Sequence, residues 1–489
     1  MLTTLLIFFP LAAALLIFAL RSKQSHALAF GAACIELLIS AIIVYQFKTG
    51  DTENLRANFQ WIERIGLSYY VDIDGISLLL VLLTTVLVPF IILSSFGKSF
   101  SKPSTFYGLI LVMQMALIGV FVAQDGLLFY LFWEIALIPI YFICLIWGGE
   151  NRGKITFKFF VYTLAGSLLM LIALIYLYLH TPGVHSFDVD ALYAAGQGLS
   201  GGEQGFIFWF LFAAFAVKMP VFPFHTWQPD TYTVAPTQGT MLLSGIMLKM
   251  GIYGVIRWLV PVVPFGVITW GYTAILISVI GIIYASCIAI VQKDFKRLIA
   301  YSSIAHVGLI AAGLFTLTAT GMQGAMIQMI SHGIVVVGMF FIIDIVFDRT
   351  KTTALADLGG IRNVAPKLAT VFVITLLGSV ALPLTSGFIG EFLLIISIFE
   401  YRAWLGALAG LTIILGAVYM LRTFQKSMSG DTNTLTASVT DLTWNEKAVL
   451  YPIIVLIILI GIYPAPILSI SEPAVAKLLE LYSPLTAIR

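Results

Sequence analysis

Long runs of apolar residues alternate with short polar connections along most of the chain. A helix that crosses a lipid bilayer needs about 20 apolar residues, and runs of roughly this length occur at fourteen places. The pattern therefore predicts an all-α integral membrane protein with 14 transmembrane helices. The predicted spans lie near 3–20, 26–46, 76–96, 105–123, 126–147, 156–179, 206–227, 233–258, 265–290, 297–315, 320–346, 366–399, 402–424 and 448–468.

Composition agrees with a membrane protein and excludes other classes. Of the 489 residues, 60% are hydrophobic and 10% are charged, and the mean hydropathy is +1.02. This is more apolar surface than a single water-soluble core buries. The 26 Lys and Arg residues nearly balance the 24 Asp and Glu residues, so the chain lacks the basic surface that nucleic-acid binding requires. We therefore expect the lipid bilayer as a partner and no nucleic acid.

The distribution of basic residues between alternate loops predicts the orientation. Of the Lys and Arg residues, 17 fall in connections on one side, 7 on the other and 2 inside spans. Because basic residues concentrate on the cytoplasmic side, the first side is predicted to be cytoplasmic and both termini are predicted to lie outside. The two long connections at 47–75 and 180–205 then fall on the outer side. The span near 3–20 lacks a basic leader and a cleavage site, so we expect a retained helix.

Two blocks of five predicted helices have nearly equal lengths. They cover 105–260 and 261–424, after three N-terminal helices at 1–104 and before a connector, helix 14 and a tail at 425–489. An odd number of helices per block inverts the second block relative to the first, as in many transporters. We therefore expect two inverted five-helix repeats.

The fourth helix of each block is interrupted by proline, so helices 7 and 12 of the chain are predicted to be broken. Pro220 and Pro223 interrupt the first, and Pro383 interrupts the second. Proline removes a backbone N–H, and non-helical backbone at membrane depth is tolerated only where it faces protein or a water-filled cavity. Both breaks are candidate ion paths, although a proline kink packed against a neighbouring helix would leave the same pattern.

Ionisable residues inside the predicted spans are the candidates for function. Placing such a group at mid-membrane costs at least about 2.5–3.5 kcal/mol, so each one requires a reason. Lysine, histidine and glutamate side chains joined by water can pass protons without a metal or a nucleophile. We therefore predict a proton relay. Its residues are Glu134, Lys218, Lys249, His306, His332 and Glu391.

Glu134 is predicted to pair with Lys218, because a nearby carboxylate restores the charge that burial removes from a lysine. The path from Lys249 is predicted to lead through the two histidines to Glu391. A static ion pair that only holds helices together, and histidines that only join helices by hydrogen bonds, are the alternative interpretations. Glu36 lies outside both repeats, and we interpret it as a contact to another helix or subunit.

The sequence contains no motif for a bound cofactor or metal. Cys34, Cys144 and Cys287 lie singly in apolar runs, so they form neither a disulfide framework nor an iron–sulfur or zinc pattern. A phosphate-binding glycine loop and a dinucleotide fingerprint are also missing from the sequence. We therefore expect no cofactor and no metal in this chain, and any redox chemistry in other subunits.

Four segments of the chain resemble the antiporter-like membrane subunits of respiratory complex I, the NADH-quinone oxidoreductase. They fall in both predicted repeats, so the resemblance covers most of the chain, and motifs of this length and order are highly specific. Glu391 separates this chain from the sister subunits L and N, which usually have lysine there. The segments are WEIALIPIYFICLIWGG (133–149), KMPVFPFHTWQPDTYTVAPTQGTMLLSGIMLKMGIYGVIR (218–257), QKDFKRLIAYSSIAHVG (292–308) and SGFIGEF (386–392).

The resemblance implies proton translocation from the cytoplasm to the outer side of a bacterial inner (cytoplasmic) membrane, driven by electron transfer elsewhere in the complex. It places FMN and iron–sulfur clusters in other subunits, and makes subunits L and N the expected partners. The roles carried over by motif are Glu134 and Lys218 as the coupling pair, Lys249 as the central relay, His306 and His332 as connecting groups, and Glu391 as the terminal proton site.

A cation/proton antiporter subunit of Mrp type is the alternative, because it would use a similar lysine and glutamate relay driven by an ion gradient. A membrane scaffold without conduction is a third interpretation. It predicts that Lys249→Ala leaves proton pumping intact.

Overall fold

Helices dominate the computed structural model, which describes residues 1–482. Their bounds follow the apolar runs of the sequence. The first ten are α1 (Leu2–Leu20), α2 (Ser25–Thr49), α3 (Gly75–Leu93), α4 (Pro103–Val122), α5 (Gly126–Trp147), α6 (Arg152–Leu179), α7 (Val189–Gly198), α8 (Gly201–Lys218), α9 (Gln228–Val234) and α10 (Thr237–Leu242). The others are α11 (Lys249–Gly254), α12 (Pro264–Val291), α13 (Phe295–Leu314), α14 (Ala319–Thr350), α15 (Ile361–Val364), α16 (Pro366–Ser379), α17 (Ser386–Tyr401), α18 (Ala403–Met428), α19 (Trp444–Ile462) and α20 (Ala465–Glu480).

Within residues 1–482, twelve helices are long and apolar enough to cross a membrane. One of them, Thr237–Leu259, is composite, because π-helical turns at Leu243–Met247 and Val255–Leu259 flank α11. The predicted all-α membrane class is therefore confirmed. The two further predicted spans correspond to α8 and to the pair α16 and α17, and the count of fourteen stays a prediction.

Both proline-containing segments interrupt their helices. Helix α8 ends at Lys218, and the chain passes through turns before α9 begins at Gln228. Helix α16 ends at Ser379 and α17 begins at Ser386. Between these two helices Ala381 has a φ of 55° and Leu384 a φ of 74°, a left-handed conformation that non-glycine residues rarely adopt. The second interruption is therefore a sharp reversal of backbone conformation and not a mild kink.

The connections at 47–75 and 180–205 contain regular structure that the search for apolar runs missed. A two-stranded antiparallel sheet, β1 (Ala57–Ile62) and β2 (Leu67–Val71), pairs Ala57 with Val71. Gly66, in the turn, has a φ of 62°, and a Cβ there would lie 2.1 Å from the His185 carbonyl oxygen. Glycine is therefore needed both for the turn and for the close approach of the second connection.

The chain divides into two compact units. The first comprises Met1–Met219, Ile246–Thr273 and the chain from Ile470 onward, and the second comprises Pro220–Gly245 and Ala274–Ser469. In the first unit α4 is central, because α1, α2, α3 and α5 all pack against it. In the second unit α14 is the central helix, because α13, α16, α17 and α19 all pack against it. These packing units do not test the predicted sequence divisions at 104, 260 and 424, which stay predictions.

Asp125 fixes the start of α5, the helix that carries Glu134. Its carboxylate accepts hydrogen bonds from the backbone N–H groups of Leu127 (2.9 Å) and Leu128 (3.0 Å) in α5 and of Ser68 (3.0 Å) in β2. Burial raises the pKa of Asp125 to about 6, although these three N–H donors act in the opposite direction. One carboxylate thus joins the sheet to the helix.

We expect Asp125→Ala to lower the free energy of unfolding by about 1–2 kcal/mol, because it removes a helix cap. Asp125→Asn should cost less, since its amide oxygen can still cap α5. The measurement is denaturant-induced unfolding in detergent, with Asp190→Ala as the control because Asp190 is exposed. Equal stability of Asp125→Ala and Asp190→Ala would contradict this role.

Candidate functional site

The first unit brings Glu134 close to Lys218. Glu134 lies in α5, and Lys218 is the last residue of α8. The Lys218 side chain is 2% exposed, and its Nζ atom lies 5.3 Å from the centroid of the Trp133 ring. The Glu134 carboxylate is near enough to attract the Lys218 ammonium electrostatically. Glu134 and Lys218 therefore lie close enough to interact, and the role of this pair stays a prediction.

Direct hydrogen bonding does not hold the Lys218 ammonium in place. Among residues 1–482 no hydrogen-bond partner reaches Lys218 Nζ or Glu134 Oε1. The face of an indole attracts a cation by about 0.5–2 kcal/mol, which is less than the cost of burying an unpaired charge. The charge on Lys218 therefore depends on Glu134 and on any water at the end of α8.

Lys249 begins α11 and is completely buried. A π-helical turn lies on each side of α11, and such turns occur frequently at functional sites. Gly251 packs α11 against the end of α8, because a Cβ at this position would lie 2.7 Å from the Phe215 carbonyl oxygen and 2.8 Å from Met219 N. The two buried lysines therefore lie on helices that touch at the end of α8.

The second unit brings both histidines and Glu391 together. His306 of α13 has its Nδ1 atom 2.8 Å from Glu391 Oε1 of α17. Gln328 of α14 donates a hydrogen bond from Nε2 to the same carboxylate oxygen at 3.3 Å. The ring centroids of His306 and His332 are 5.9 Å apart, and Ser303 Oγ lies 3.1 Å from His332 Nε2. His306, His332 and Glu391 are ionisable. These three side chains and those of Gln328 and Ser303 are all buried.

A small cavity joins this cluster to the second interruption. It has a volume of about 20 Å³, which is room for a water molecule. Its lining includes both histidines, Gln328 and Ser379, the residue at which α16 ends. A water there would have polar partners on three helices and would lie between the two imidazoles.

Two aromatic residues near the predicted relay were missed by the sequence analysis. The Tyr419 hydroxyl of α18 lies 3.0 Å from Ser302 Oγ, one turn before His306. Trp133 directly precedes Glu134 and faces Lys218. A phenol inside a predicted span would have been a usable signal for Tyr419. Trp133 gave no such signal, because tryptophan is ordinary in an apolar run.

The structure assigns Lys249 and His306 to different compact units. The predicted step between them therefore rests on the sequence. His225 belongs to the second unit, where its ring lies 5.2 Å from Tyr284 and 5.8 Å from Phe222. Glu36 is completely buried within its own unit, so its side chain does not lie on a surface open to another subunit.

Comparison with known proteins finds close similarity over the length of the chain. A family model described as "NADH:quinone oxidoreductase/Mrp antiporter, TM" matches residues 123–416. NADH-quinone oxidoreductase subunit M of Rickettsia typhi is 40% identical over 484 residues, 97% of each chain. A chain of respiratory complex I from Thermus thermophilus superposes with a TM-score of 0.90 at 28% identity, covering 98% of this chain and 99% of that one.

A more distant match concerns the fold alone. A chain of the Mrp complex from Dietzia sp. DQ12-45-1b superposes with a TM-score of 0.85, at 19% identity, and covers 97% of this chain and 52% of that one. The helical architecture is thus common to both kinds of assembly.

We expect Glu391→Ala to destabilise the second unit by about 1–3 kcal/mol, because it leaves the buried Gln328 amide and His306 imidazole without their acceptor. Glu391→Gln keeps an acceptor oxygen and should lose less. Ser397→Ala is the matched control on α17, since Ser397 is buried but bonds only to Leu394 O of its own helix. Thermal unfolding in detergent measures the three differences, and a loss for Glu391→Ala no larger than for Ser397→Ala would contradict the assigned contacts.

Proposed function

The chain belongs to the family of NADH-quinone oxidoreductase subunit M, and on this premise we propose that it translocates protons as a membrane subunit of that enzyme complex. The observation that carries the proposal is the cluster of His306, Gln328 and Glu391, buried in the second unit beside a cavity of water size. Both imidazoles line this cavity, and Glu391 is connected to it through its contact with His306, so the cluster consists of groups that can accept and release protons.

In the first unit, the proposed working element is the pair of Glu134 and Lys218. Burial disfavours the charged lysine, whereas the nearby carboxylate favours it. A shift of Glu134, or its protonation, would weaken that attraction and release the proton from Lys218. Because Lys218 Nζ has no hydrogen-bond partner among residues 1–482, the electrostatic pull of Glu134 is the main protein contact that sets its charge.

In the second unit, the proposed path runs through the two imidazoles. A neutral imidazole accepts a proton on one nitrogen and releases one from the other, so it can pass a proton without moving far. His306 contacts Glu391, and His332 faces the cavity beside Ser303. We assign Glu391 as the terminal proton site of this path and Lys249 as the central relay residue.

Electron transfer is assigned to other subunits. Cys34, Cys144 and Cys287 lie on three separate helices, α2, α5 and α12, which disfavours a shared cluster of thiolate ligands. We therefore propose that this chain has no redox centre, and that FMN and iron–sulfur clusters belong to other parts of the complex. Their reduction would act on Glu134 electrostatically.

The proposed topology has fourteen crossings, with both termini on the outer side of a bacterial inner membrane. Helix α8 supplies the seventh crossing, and α16 together with α17 supplies the twelfth. The interrupted segments then take matching places in two inverted five-helix repeats. Many large apolar side chains are exposed on the outer helices, including Leu38, Ile172 and Val455, as expected of surfaces that face lipid or the sister subunits L and N.

An Mrp-type antiporter function is less well supported. The matched chain of the Mrp complex is 19% identical to this one, whereas NADH-quinone oxidoreductase subunit M of Rickettsia typhi is 40% identical over nearly the whole chain. A dependence of transport on a sodium or potassium gradient, with no response to electron transfer, would favour the antiporter instead.

We expect Glu134→Gln and Lys218→Ala each to lower proton pumping by the reconstituted complex roughly tenfold or more, the scale of losing a positioned proton-transfer group. The measurement is the number of protons pumped per NADH oxidised in liposomes, after native gels confirm assembly. Lys426→Ala, an exposed lysine near the end of α18, is the control. Normal pumping at normal quinone reduction in either variant would refute the role of this pair.

A further inference from the structure

Glu36 is a buried carboxyl group that the proposed relay does not use. It lies on α2, in a stripe of buried residues that includes Ala33 and Ser40. Its side chain is 0% exposed, and neither carboxylate oxygen has a hydrogen-bond partner among residues 1–482. The opposite face of α2 is exposed and apolar at Ile35, Leu38 and Ile42. Glu36 therefore points into the packed N-terminal helices.

The helices around Glu36 offer no positive charge. Helix α2 packs chiefly against α1, α3 and α4, and none of these three contains Asp, Glu, Lys, Arg or His. On α2 itself, His26 and Lys48 lie ten and twelve residues from Glu36, roughly 15 and 18 Å along the helix axis. The phenol of Tyr107 on α4 bonds to Ser95, and neither it nor the thiol of Cys34 can supply a positive charge.

An ionised carboxylate without a partner costs far more in an apolar interior than a neutral acid does. The protein can meet this cost by leaving the proton on Glu36. A protonated carboxyl group carries both an O–H donor and a carbonyl acceptor. Complementary groups are therefore expected at the same depth.

Gln114 on α4 has the complementary groups. The hydroxyls of Ser25 and Ser104 are 2.9 Å apart, so α2 and α4 begin side by side. Glu36 lies eleven residues beyond Ser25, and Gln114 lies ten residues beyond Ser104, which places both at nearly the same depth. Gln114 is 0% exposed, and both atoms of its amide lack partners among residues 1–482. An acid and an amide can exchange two hydrogen bonds.

Helix α3 adds polar groups to the same region. Thr85 donates a hydrogen bond to Ser40 Oγ at 2.9 Å, and Ser40 lies one helical turn beyond Glu36. Pro89 has no N–H to give to the Thr85 carbonyl. Because a helix carbonyl points towards the helix C-terminus, this free acceptor faces the level of Glu36 on the antiparallel α2. The acid is thus placed in a polar strip within otherwise apolar helices.

We propose that Glu36 is a proton-binding site of the N-terminal helices, protonated at neutral pH, and that the protonated acid turns to bond the Gln114 amide, since neither group has a hydrogen-bond partner in the structure of residues 1–482. It lies outside both predicted repeats, and the proposal does not depend on the relay. Helix α4 also packs against α5, which carries Glu134, and α11, which carries Lys249. The site is therefore separated from the relay residues of the first unit by one helix. A proton-binding site, unlike a sealed structural acid, requires that this proton exchange with water, and exchange in D2O tests this requirement.

Infrared spectroscopy of the purified complex tests the proposal. We expect a carbonyl-stretch band of a protonated carboxylic acid that is absent in Glu36→Gln, unchanged in Glu63→Gln and shifted in D2O. Glu63 is an exposed control in the 47–75 connection. Glu36→Gln should assemble normally, because glutamine has nearly the shape of the neutral acid. Labelling glutamate carboxyl groups with carbon-13 locates acid bands in the unaltered protein as well.

The partner is tested separately. Gln114→Leu should move the Glu36 band to the frequency of an acid without an amide partner, whereas Met113→Leu, a neighbouring change on α4, should leave it in place. If the spectrum of Glu36→Gln keeps every carboxylic-acid band of the unaltered protein, Glu36 is ionised and the proposal is overturned. A band that does not shift in D2O would show a sealed structural acid and would overturn its role as a proton-binding site. An unmoved band in Gln114→Leu would refute the assigned partner.

Discussion

The cost of holding ionisable groups in an apolar, low-dielectric interior is the constraint on which the rest of the structure depends. A group at membrane depth must be paired, neutral or in contact with water. The chain uses all three solutions. Glu391 is paired through His306 and Gln328, Glu36 is proposed to be neutral, and the two histidines border a cavity of water size. In the proposed relay, function therefore depends on which group holds a proton at a given moment.

The two units meet the constraint with different chemistry. The first unit holds Lys218 against the Trp133 ring and near the Glu134 carboxylate without a direct hydrogen bond, so its charge is balanced by the electric field of its surroundings. The second unit holds imidazoles, an amide and a carboxylate in direct contact. A charge state set by a field responds to an electrical change elsewhere, whereas an imidazole can pass a proton from one nitrogen to the other. In the proposed mechanism, the first unit therefore senses electron transfer and the second conducts protons.

The sequence predicted the features that depend on composition and on proline, and missed those that depend on packing. Apolar run length was sufficient to find the twelve candidate spanning helices of residues 1–482, and Pro220 and Pro383 were sufficient to locate the interruptions. The sequence predicted that the histidines lead to Glu391 but not that His306, rather than His332, contacts it, because the break at Pro383 disturbs helical phase and leaves the direction of the Glu391 side chain open. The β1–β2 hairpin was missed because its strands are only six and five residues long. Gln114 gave no signal, since a lone glutamine in an apolar helix acquires meaning only when Glu36 is placed at its depth.

The most direct measurement of the central claim is a map of the assembled complex in lipid at a resolution that shows ordered water. The account predicts water density that joins Glu134 to Lys218 in the first unit, and water in the cavity between His306 and His332 in the second. Dry hydrocarbon packing between these groups in both units would contradict it, because protons could not then pass from one to the next.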